Sequence, residues 1–373
     1  MTTPRIEIEL DKIEHNTRVL VGQMAARGIG VTGVTKATLG SPEVGAAMLR
    51  GGAIGLGDSR VQNLARLAEL DGSPSRMLIR SPQLSQAGQV VQTATASLNT
   101  EAAVIDALDA AGAEAGRRHG VILMVELGDL REGIDVEDVD AAVGVVLAST
   151  SLRLLGLGAN LACQNGVVPD DANMGALTRL VEKVEAAHRI DLSVVSGGNS
   201  ANLEWATTTG RVGRTNQLRI GEAILLGTEP LHRAPIPGLH TDAFTLTAEV
   251  IEVADKPARP WGTRAQTAFG ETPDRTRPAT GTGTIRQAIV ALGRQDVDLD
   301  GLIPPAGITV LGMSSDHLVL NVGDHPVSVG DELSFGVAYG ALVRAMTSPF
   351  VTKMERVGPS PSRSFPYVGS RAS

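Results

Sequence analysis

Val31-Thr32-Gly33-Val34-Thr35-Lys36-Ala37 reads as a short apolar strand that ends on a lysine. An amphipathic helix precedes it, capped by Asp11 and running to about Arg27, with Ile13, Leu20, Val21 and Met24 on one side. A strand–helix alternation follows. Apolar strand-like runs fall at 30–36, 53–58, 76–81, 95–99, 120–127, 154–161, 191–197 and 217–221. Helical stretches separate them at 42–50, 60–69, 83–93, 101–116, 137–148, 173–188 and 202–209. This order predicts an α/β fold, a closed (β/α)₈ barrel of the TIM type over residues 11–236. No G-x-G-x-x-G marks the first turn, which argues against an open dinucleotide-binding sheet. Burying an ammonium at a strand end is expensive, so Lys36 either reaches into water or has chemistry to do. An unprotonated lysine attacks carbonyls, which suggests a Schiff base with an aldehyde cofactor.

Residues 5–10 alternate with period two and predict a first strand with one buried face. After about residue 236 the period changes again. Phe244–Val253 predicts a long strand, with short ones at 286–292, 308–312, 316–321, 331–335 and 340–345, so residues 237–356 predict an all-β domain. Residues 262–283 predict a loop, and 357–373 a disordered tail. Apolar residues make up 42% and charged residues 20% of the 373, ordinary for a soluble enzyme. Aromatics are only 2%, so the core has to be built from small and branched aliphatics. A net charge of −8, with no basic stripe among aromatics, argues against nucleic acid as a partner. The single Cys163 excludes an internal disulfide and fits a reducing, cytoplasmic setting. No apolar run suggests a signal peptide or a membrane span.

Barrel enzymes work at the C-terminal ends of their strands. Those ends are polar here: Lys36, Asp58-Ser59-Arg60, Arg80-Ser81, Asn99, Glu126 with Asp129 and Arg131, Asn160, Ser196-Gly197-Gly198-Asn199-Ser200, and Arg219 with Gly221-Glu222. Polar loops follow apolar strands in any case, but two arginines converging on one mouth are less expected. The seventh and eighth ends of such barrels commonly bind phosphate on backbone N–H groups. Here they supply two adjacent glycines, a hydroxyl, a helix start and Gly221. A phosphate site together with a strand-end lysine suggests pyridoxal 5'-phosphate.

At these residues the chain resembles the fold-type III pyridoxal-phosphate enzymes, the alanine racemase-like group, and within it the alanine and ornithine racemases. The resemblance covers residues 4–353. It rests on Val34-Thr-Lys36-Ala, Gly57-Asp-Ser-Arg60, Ser97-Leu-Asn99-Thr-Glu, Glu126-Leu-Gly-Asp-Leu-Arg-Glu-Gly133, Gly158-Ala-Asn-Leu-Ala162, Ser196-Gly-Gly-Asn-Ser200, Leu218-Arg-Ile-Gly-Glu222, His240-Thr-Asp242, Ser314-Ser-Asp-His317 and Thr347-Ser-Pro-Phe350. It implies a barrel whose chain begins with a strand of the β domain, and a homodimer in which each active site is completed by the partner. It also implies that Lys36 holds the cofactor. Arg131 would lie near the cofactor's phenolic oxygen or the substrate carboxylate, and Asn160 beside the ring, where alanine racemases carry a histidine. Ser200, Gly221, Glu222 and Tyr339 would hold the phosphate, and Arg219 would face the ring nitrogen. A guanidinium can only donate, so it keeps that nitrogen unprotonated and the ring a weaker electron sink. That favours return of the proton to Cα, hence racemisation, over transamination.

Racemisation needs a proton carrier on each face of Cα, and Lys36 serves one. The resemblance implies a β-domain tyrosine on the other, but the nearest run is Gly293-Arg294-Gln295-Asp296, with an arginine in the tyrosine position. His317, Cys163 and Asp296 are the candidate substitutes, with His317 first because imidazole titrates near neutrality. Arg131, Arg294 and Asp316 are the candidate substrate-binding residues: Arg294 suits a carboxylate, of the substrate or of a side chain, and the resemblance implies that Asp316 lies near the substrate carboxylate. The expected function is interconversion of L- and D-amino acids, ornithine or another basic substrate favoured, with Glu126, Asp129 and Glu132 as possible partners for a distal ammonium. The alternatives are a lyase of the D-threonine aldolase or D-serine dehydratase type, and a non-catalytic cofactor-binding protein. The other histidines, His119 among them, read as helix-end or loop residues, and no metal is expected.

Overall fold

The computed structural model describes residues 2–270 and 283–358. The chain divides into two compact units, Leu10–Ala243 and a second made of the residues up to Glu9 together with Phe244–Arg356.

The first unit is a closed parallel barrel. The chain opens with strand β1 (Arg5–Glu9), which belongs to the second unit, and helix α1 (Leu10–Ala25). The barrel strands are β2 (Gly30–Val34), β3 (Gly55–Asp58), β4 (Arg76–Leu78), β5 (Ala96–Asn99), β6 (His119–Met124), β7 (Leu152–Gly158), β8 (Val194–Ser196) and β9 (Gln217–Ile220). Helices α2 (Pro42–Arg50), α3 (Val61–Leu67), α4 (Ala87–Thr93), α5 (Ala102–Ala115), α6 (Val139–Ala148), α7 (Asp171–His188) and α8 (Asn202–Thr208) connect them in turn, and α9 (Glu222–Leu226) follows β9. The predicted (β/α)₈ barrel is therefore present, because each buried apolar run pairs on both sides and needs a crossover helix to reach its parallel neighbour. Inside the barrel, Met77, Leu98, Ile122 and Met124 pack with Ile79, Leu155 and Val194. Strands on opposite sides of a barrel meet only in its interior. Registers run from Met124 opposite Gly158, to Gly158 opposite Ser196, to Ser196 opposite Gln217, so Ser196 and Arg219 also point inward.

The second unit is antiparallel apart from one pairing. β10 (Phe244–Pro257) pairs with β1, β11 (Thr284–Val290) and β15 (Glu332–Val337). β12 (Leu302–Ile303) extends the sheet beyond β15, and β14 (Leu318–Asn321) with β13 (Thr309–Met313) extends it beyond β11. β16 (Thr352–Arg356) lies parallel to β1. Ile6, Leu246 and Phe335 fall in one register row and are buried, which is what recruits the N-terminal strand. Arg5 reinforces it with a two-pronged ion pair to Glu332 at 2.8 and 2.7 Å. The expected strand at 340–345 is instead helix α10 (Tyr339–Thr347). Its buried residues Ala341, Leu342, Ala345 and Met346 recur with helical, not alternating, spacing. Of the predicted loop, residues 271–282 lie outside the described residues, as does most of the predicted tail, from residue 359 on.

His119 departs from expectation. It is the first residue of β6, buried, with Nε2 2.8 Å from Ser97 Oγ, which Asn99 Nδ2 also contacts at 3.0 Å. Ser97 and Asn99 alternate with the inward-facing Leu98, so this polar chain lies on the helix side of β5 and Asn99 does not face the barrel interior. Burial pushes the His119 pKa down to about 4. The folded state thus holds a neutral imidazole, and unfolding takes up a proton below the unfolded pKa of about 6.5. Stability from this residue is complete above that value and is lost as pH falls toward 4. Urea unfolding at pH 7 and pH 5 should show the wild type losing roughly 2 kcal/mol more than His119→Asn, from about 1.4 kcal/mol per pH unit. Equal losses would remove His119 as a source of acid sensitivity.

Candidate active site

Lys36 starts a single 3-10 turn, Lys36–Thr38, directly after β2. Its side chain is exposed while the residues around it are buried. The turn is pinned to β3. Thr35 N–H donates to Gly57 O at 3.0 Å, and Thr35 Oγ1 donates to Asp58 Oδ2 at 2.8 Å. Asp58 is fully buried, and its other oxygen accepts from Arg60 N–H at 2.9 Å and Asn63 Nδ2 at 3.0 Å. Burial pushes the Asp58 carboxyl up, against the pull of those donors. Asp58 is thus the strut under the lysine turn. The signal for it was present: Val34 pairs with Gly57, so the next residues, Thr35 and Asp58, end adjacent strands.

Arg219 projects inward from β9 and is buried. It donates to Ser196 Oγ, to Ala159 O at 2.9 Å and to Asn160 Oδ1 at 3.3 Å. Desolvation brings its pKa down to about 10, which still leaves it charged at neutral pH. Asn160 Oδ1 also accepts from Asn199 Nδ2 at 3.1 Å, while Asn160 Nδ2 is buried with no partner. Asn199 further donates to Leu161 O at 2.8 Å and approaches Cys163 Sγ at 3.5 Å. Cys163 is exposed. Arg131, half-exposed, forms a two-pronged pair with Glu132. Burial lowers its pKa, but Glu132, Cys163 and Asp129 outweigh burial and raise it.

The loop after β8 and the start of α9 form the rest of the mouth. Gly198 has φ +143°, and a Cβ there would lie 2.1 Å from Asn202 Oδ1. Asn202 accepts from Asn199 N–H at 3.1 Å and donates to Gly197 O at 3.0 Å, closing the loop on itself. Ser200 Oγ is buried and accepts from Ala223 N–H at 3.2 Å. This leaves its hydroxyl hydrogen to donate elsewhere, and leaves the Gly221 and Glu222 amides as first-turn donors of α9. Gly221 passes so close to β2 that a Cβ there would meet Val34 Cβ at 3.0 Å. The Glu222 carboxylate pairs with Arg233; burial raises it, and Arg233 and Lys36 draw it back.

The barrel therefore brings Lys36, Arg131, Asn160, Ser200, Arg219, Gly221 and Glu222 to the ends of its own strands. Tyr339, Arg294, Asp316 and His317 lie in the β unit. Tyr339 opens α10. The Arg294 guanidinium stacks 4.5 Å over the Phe269 ring. His317 Nδ1 lies 2.8 Å from Asp316 Oδ1, and both side chains are exposed. Asp296 is buried and accepts from Ser348 Oγ and Gly293 N–H, both at 3.1 Å, the position of a turn anchor rather than of a free base. Among the described residues there is no group of three His, Cys, Asp or Glu side chains placed to hold a metal, and no helix is long and apolar enough to cross a membrane.

A lysine-ended barrel with a buried arginine at its mouth, paired with an all-β unit that takes in the first strand, defines the fold-type III pyridoxal-phosphate class. The chain belongs to the alanine racemase family: residues 8–230 match the alanine racemase N-terminal domain. It is 38% identical to the lysine racemase of Thermotoga maritima, over 95% of this chain and 99% of that protein. It is 33% identical to the ornithine racemase of Acetoanaerobium sticklandii, over 94% and 99%. Its fold is similar to those of alanine racemase from Streptomyces coelicolor A3(2) (TM-score 0.72, 20% identity, 94% of this chain and 97% of that one) and D-threonine aldolase from Filomicrobium marinum (0.74, 15%, 98% and 94%). At those identities the two structures speak for the fold alone. The protein is a pyridoxal-phosphate-dependent amino-acid racemase, an isomerase, and the lyase alternative is not favoured.

The mouth fits that cofactor on features of its own: an orphaned buried amide at Asn160, an uncommitted hydroxyl hydrogen at Ser200, and backbone too close-packed at Gly198 and Gly221 for side chains. Gly198→Ala should lower stability by about 2 kcal/mol or more and weaken pyridoxal-phosphate retention, read by thermal melts and by absorbance after dialysis. An unchanged melt and full retention would mean that the loop relaxes without loss.

Proposed function

We propose that the enzyme racemises a basic diamino acid, ornithine or lysine, as a cytoplasmic homodimer in which each barrel mouth is completed by the partner's β unit. The observation that carries the substrate class is the near full-length similarity to a lysine racemase and an ornithine racemase, whose named substrates differ by one methylene. Of the three acidic residues near the fifth strand end, Glu126 caps the Gly128 and Leu130 amides and Asp129 is wholly engaged with backbone. Glu132 has both oxygens on Arg131, whereas Glu126 commits only Oε1, so Glu126 Oε2 is the carboxylate oxygen best placed to take a distal ammonium.

Bound pyridoxal phosphate supplies an electron-withdrawing system that acidifies the Cα proton. Lys36, presented in solvent on a turn braced by Asp58, is the residue that would hold the cofactor, and its amine would carry the proton on one face of Cα. Ser200 and the Gly221 and Glu222 amides would hold the phosphate, with Tyr339 as a further candidate, and Asn160 would face the ring side. Arg219, desolvated and held by four acceptors, offers only N–H donors, so it would leave the ring nitrogen of a bound cofactor unprotonated and favour return of the proton to Cα. Arg131 would bind the phenolic oxygen or the substrate carboxylate, with Arg294 as a second guanidinium for a carboxylate, while Asp316, itself an anion, holds His317. His317 moves the proton on the second face: Asp316 fixes its Nδ1 and leaves Nε2 for the transfer.

The test is proton NMR in D₂O with ornithine, lysine, arginine, alanine and serine, followed by a chiral assay. Loss of the Cα–H signal with appearance of the D-enantiomer is expected for ornithine or lysine first. Racemisation of alanine alone would overturn the substrate class, and aldehyde or keto-acid products the reaction. Lys36→Ala should abolish turnover, and borohydride reduction of the wild type should place the cofactor's mass on the Lys36 peptide. His317→Asn should cut racemisation at least a hundredfold while sparing exchange on the lysine face. If Cys163→Ser does this instead, the thiol is the second carrier.

A further inference from the structure

We propose that Asp129 is a positioning residue, a buried anion that ties the loop after β7 to the turn carrying Arg131 and so sets where that guanidinium stands. This rests on the racemase reading of the barrel mouth.

Asp129 is 1% exposed, and its carboxylate binds no side chain. It accepts instead from a run of backbone amides: Cys163 at 3.0 Å and Gln164 at 2.9 Å on Oδ2, Asn165 at 3.1 Å and Val167 at 3.4 Å on Oδ1. Asn165 Nδ2 returns a bond to Asp129 O at 2.7 Å. Burial raises the carboxyl, but the four amides outweigh burial and hold it below the ordinary carboxylate range, so it remains an anion at working pH. Successive backbone N–H groups converging on one anion form a nest, here with a fixed side chain as its occupant.

Both loops need this brace. Leu130 has φ +52° and Ala162 φ +59°, left-handed positions without glycine, on either side of the clamp. Glu126 caps Gly128 and Leu130 on the turn side, and Asn199 holds Leu161 O on the other. The loop after β7 is therefore held from β6 by Asp129 and from β8 by Asn199. Arg131 lies two residues beyond Asp129 on the same turn, with Glu132 beside it. Placement errors of about an ångström in such a group are costly to catalysis.

Asp129→Asn keeps the size, removes the charge and turns one acceptor into a donor facing other donors. The full chain loaded with pyridoxal phosphate is compared as wild type, Asp129→Asn, Arg131→Lys and the double variant. Amide hydrogen exchange across 161–168 should quicken at least tenfold in Asp129→Asn, with the rest of the barrel unchanged. KM for the amino acid should rise at least fivefold with a smaller fall in kcat, and the aspartate change should add little in the Arg131→Lys background. Unchanged exchange overturns the clamp. Faster exchange with unchanged KM, or additive effects in the double variant, overturns its action through Arg131. If Asp129→Asn does not fold, Asn165→Ala, which removes one strut only, should show the same pattern at smaller size, and its absence overturns the proposal. A wild type inactive on every amino acid would strike the racemase reading, while the exchange result still decides the clamp.

Discussion

The pairing of β2 with β9 is the constraint on which the rest hangs. Gly30 lies opposite Gln217 and Gly33 opposite Ile220, so the first and last barrel strands become neighbours although the whole barrel chain separates them. Closure removes both sheet edges and fixes the stagger of every strand. It sets Thr32 beside Arg219 and brings Gly221 against Val34, which leaves the turn bearing Lys36 next to the start of α9. The effect of Lys36 on the Glu222 carboxyl is a direct consequence of that adjacency. The lysine and the phosphate-type donors are thus joined by backbone hydrogen bonds of the sheet, not by flexible loops.

Three buried charges show how the mouth is kept rigid. Asp58 braces the lysine turn, Arg219 spans four acceptors inside the barrel, and Asp129 gathers four amides outside it. Removing any such group from water costs several kcal/mol, and each fold position supplies enough partners to offset that. The partners are mostly backbone atoms of neighbouring strand ends. Such networks stabilise weakly against an apolar alternative, but a half-satisfied one is costly, so each admits essentially one local arrangement.

Where sequence reading succeeded and failed follows from the range of the interactions. Eight apolar runs with seven intervening helical stretches were legible because each buries one periodic face, and the family motifs located the strand-end polar residues. Residues 340–345 read as a strand but lie in helix Tyr339–Thr347, because short, small-residue runs carry both periods and helical burial of Leu342 and Met346 is a tertiary outcome. In sequence His119 reads as a helix-end or loop residue because nothing local announces Ser97 as its partner. In sequence Asp129 reads as a possible partner for a distal ammonium, because its four amide partners come from the loop after β7.

By itself the sequence determined the barrel with its eight strands and seven connecting helices, the mostly β character of the second unit, and the cofactor; it also singled out Lys36 and Arg219 as strand-end groups with chemistry to do. Those rest on periodicity and on residue chemistry, which are properties of short stretches, whereas the borrowing of the first strand by the β unit was implied by the family resemblance. Only the tertiary structure decided which acidic side chains are free and which are struts, and which strand-end polar groups face the interior. Strand register and loop contacts between neighbouring βα units settle those, because a carboxylate's role depends on the donors that reach it, and here they arrive from elsewhere in the chain.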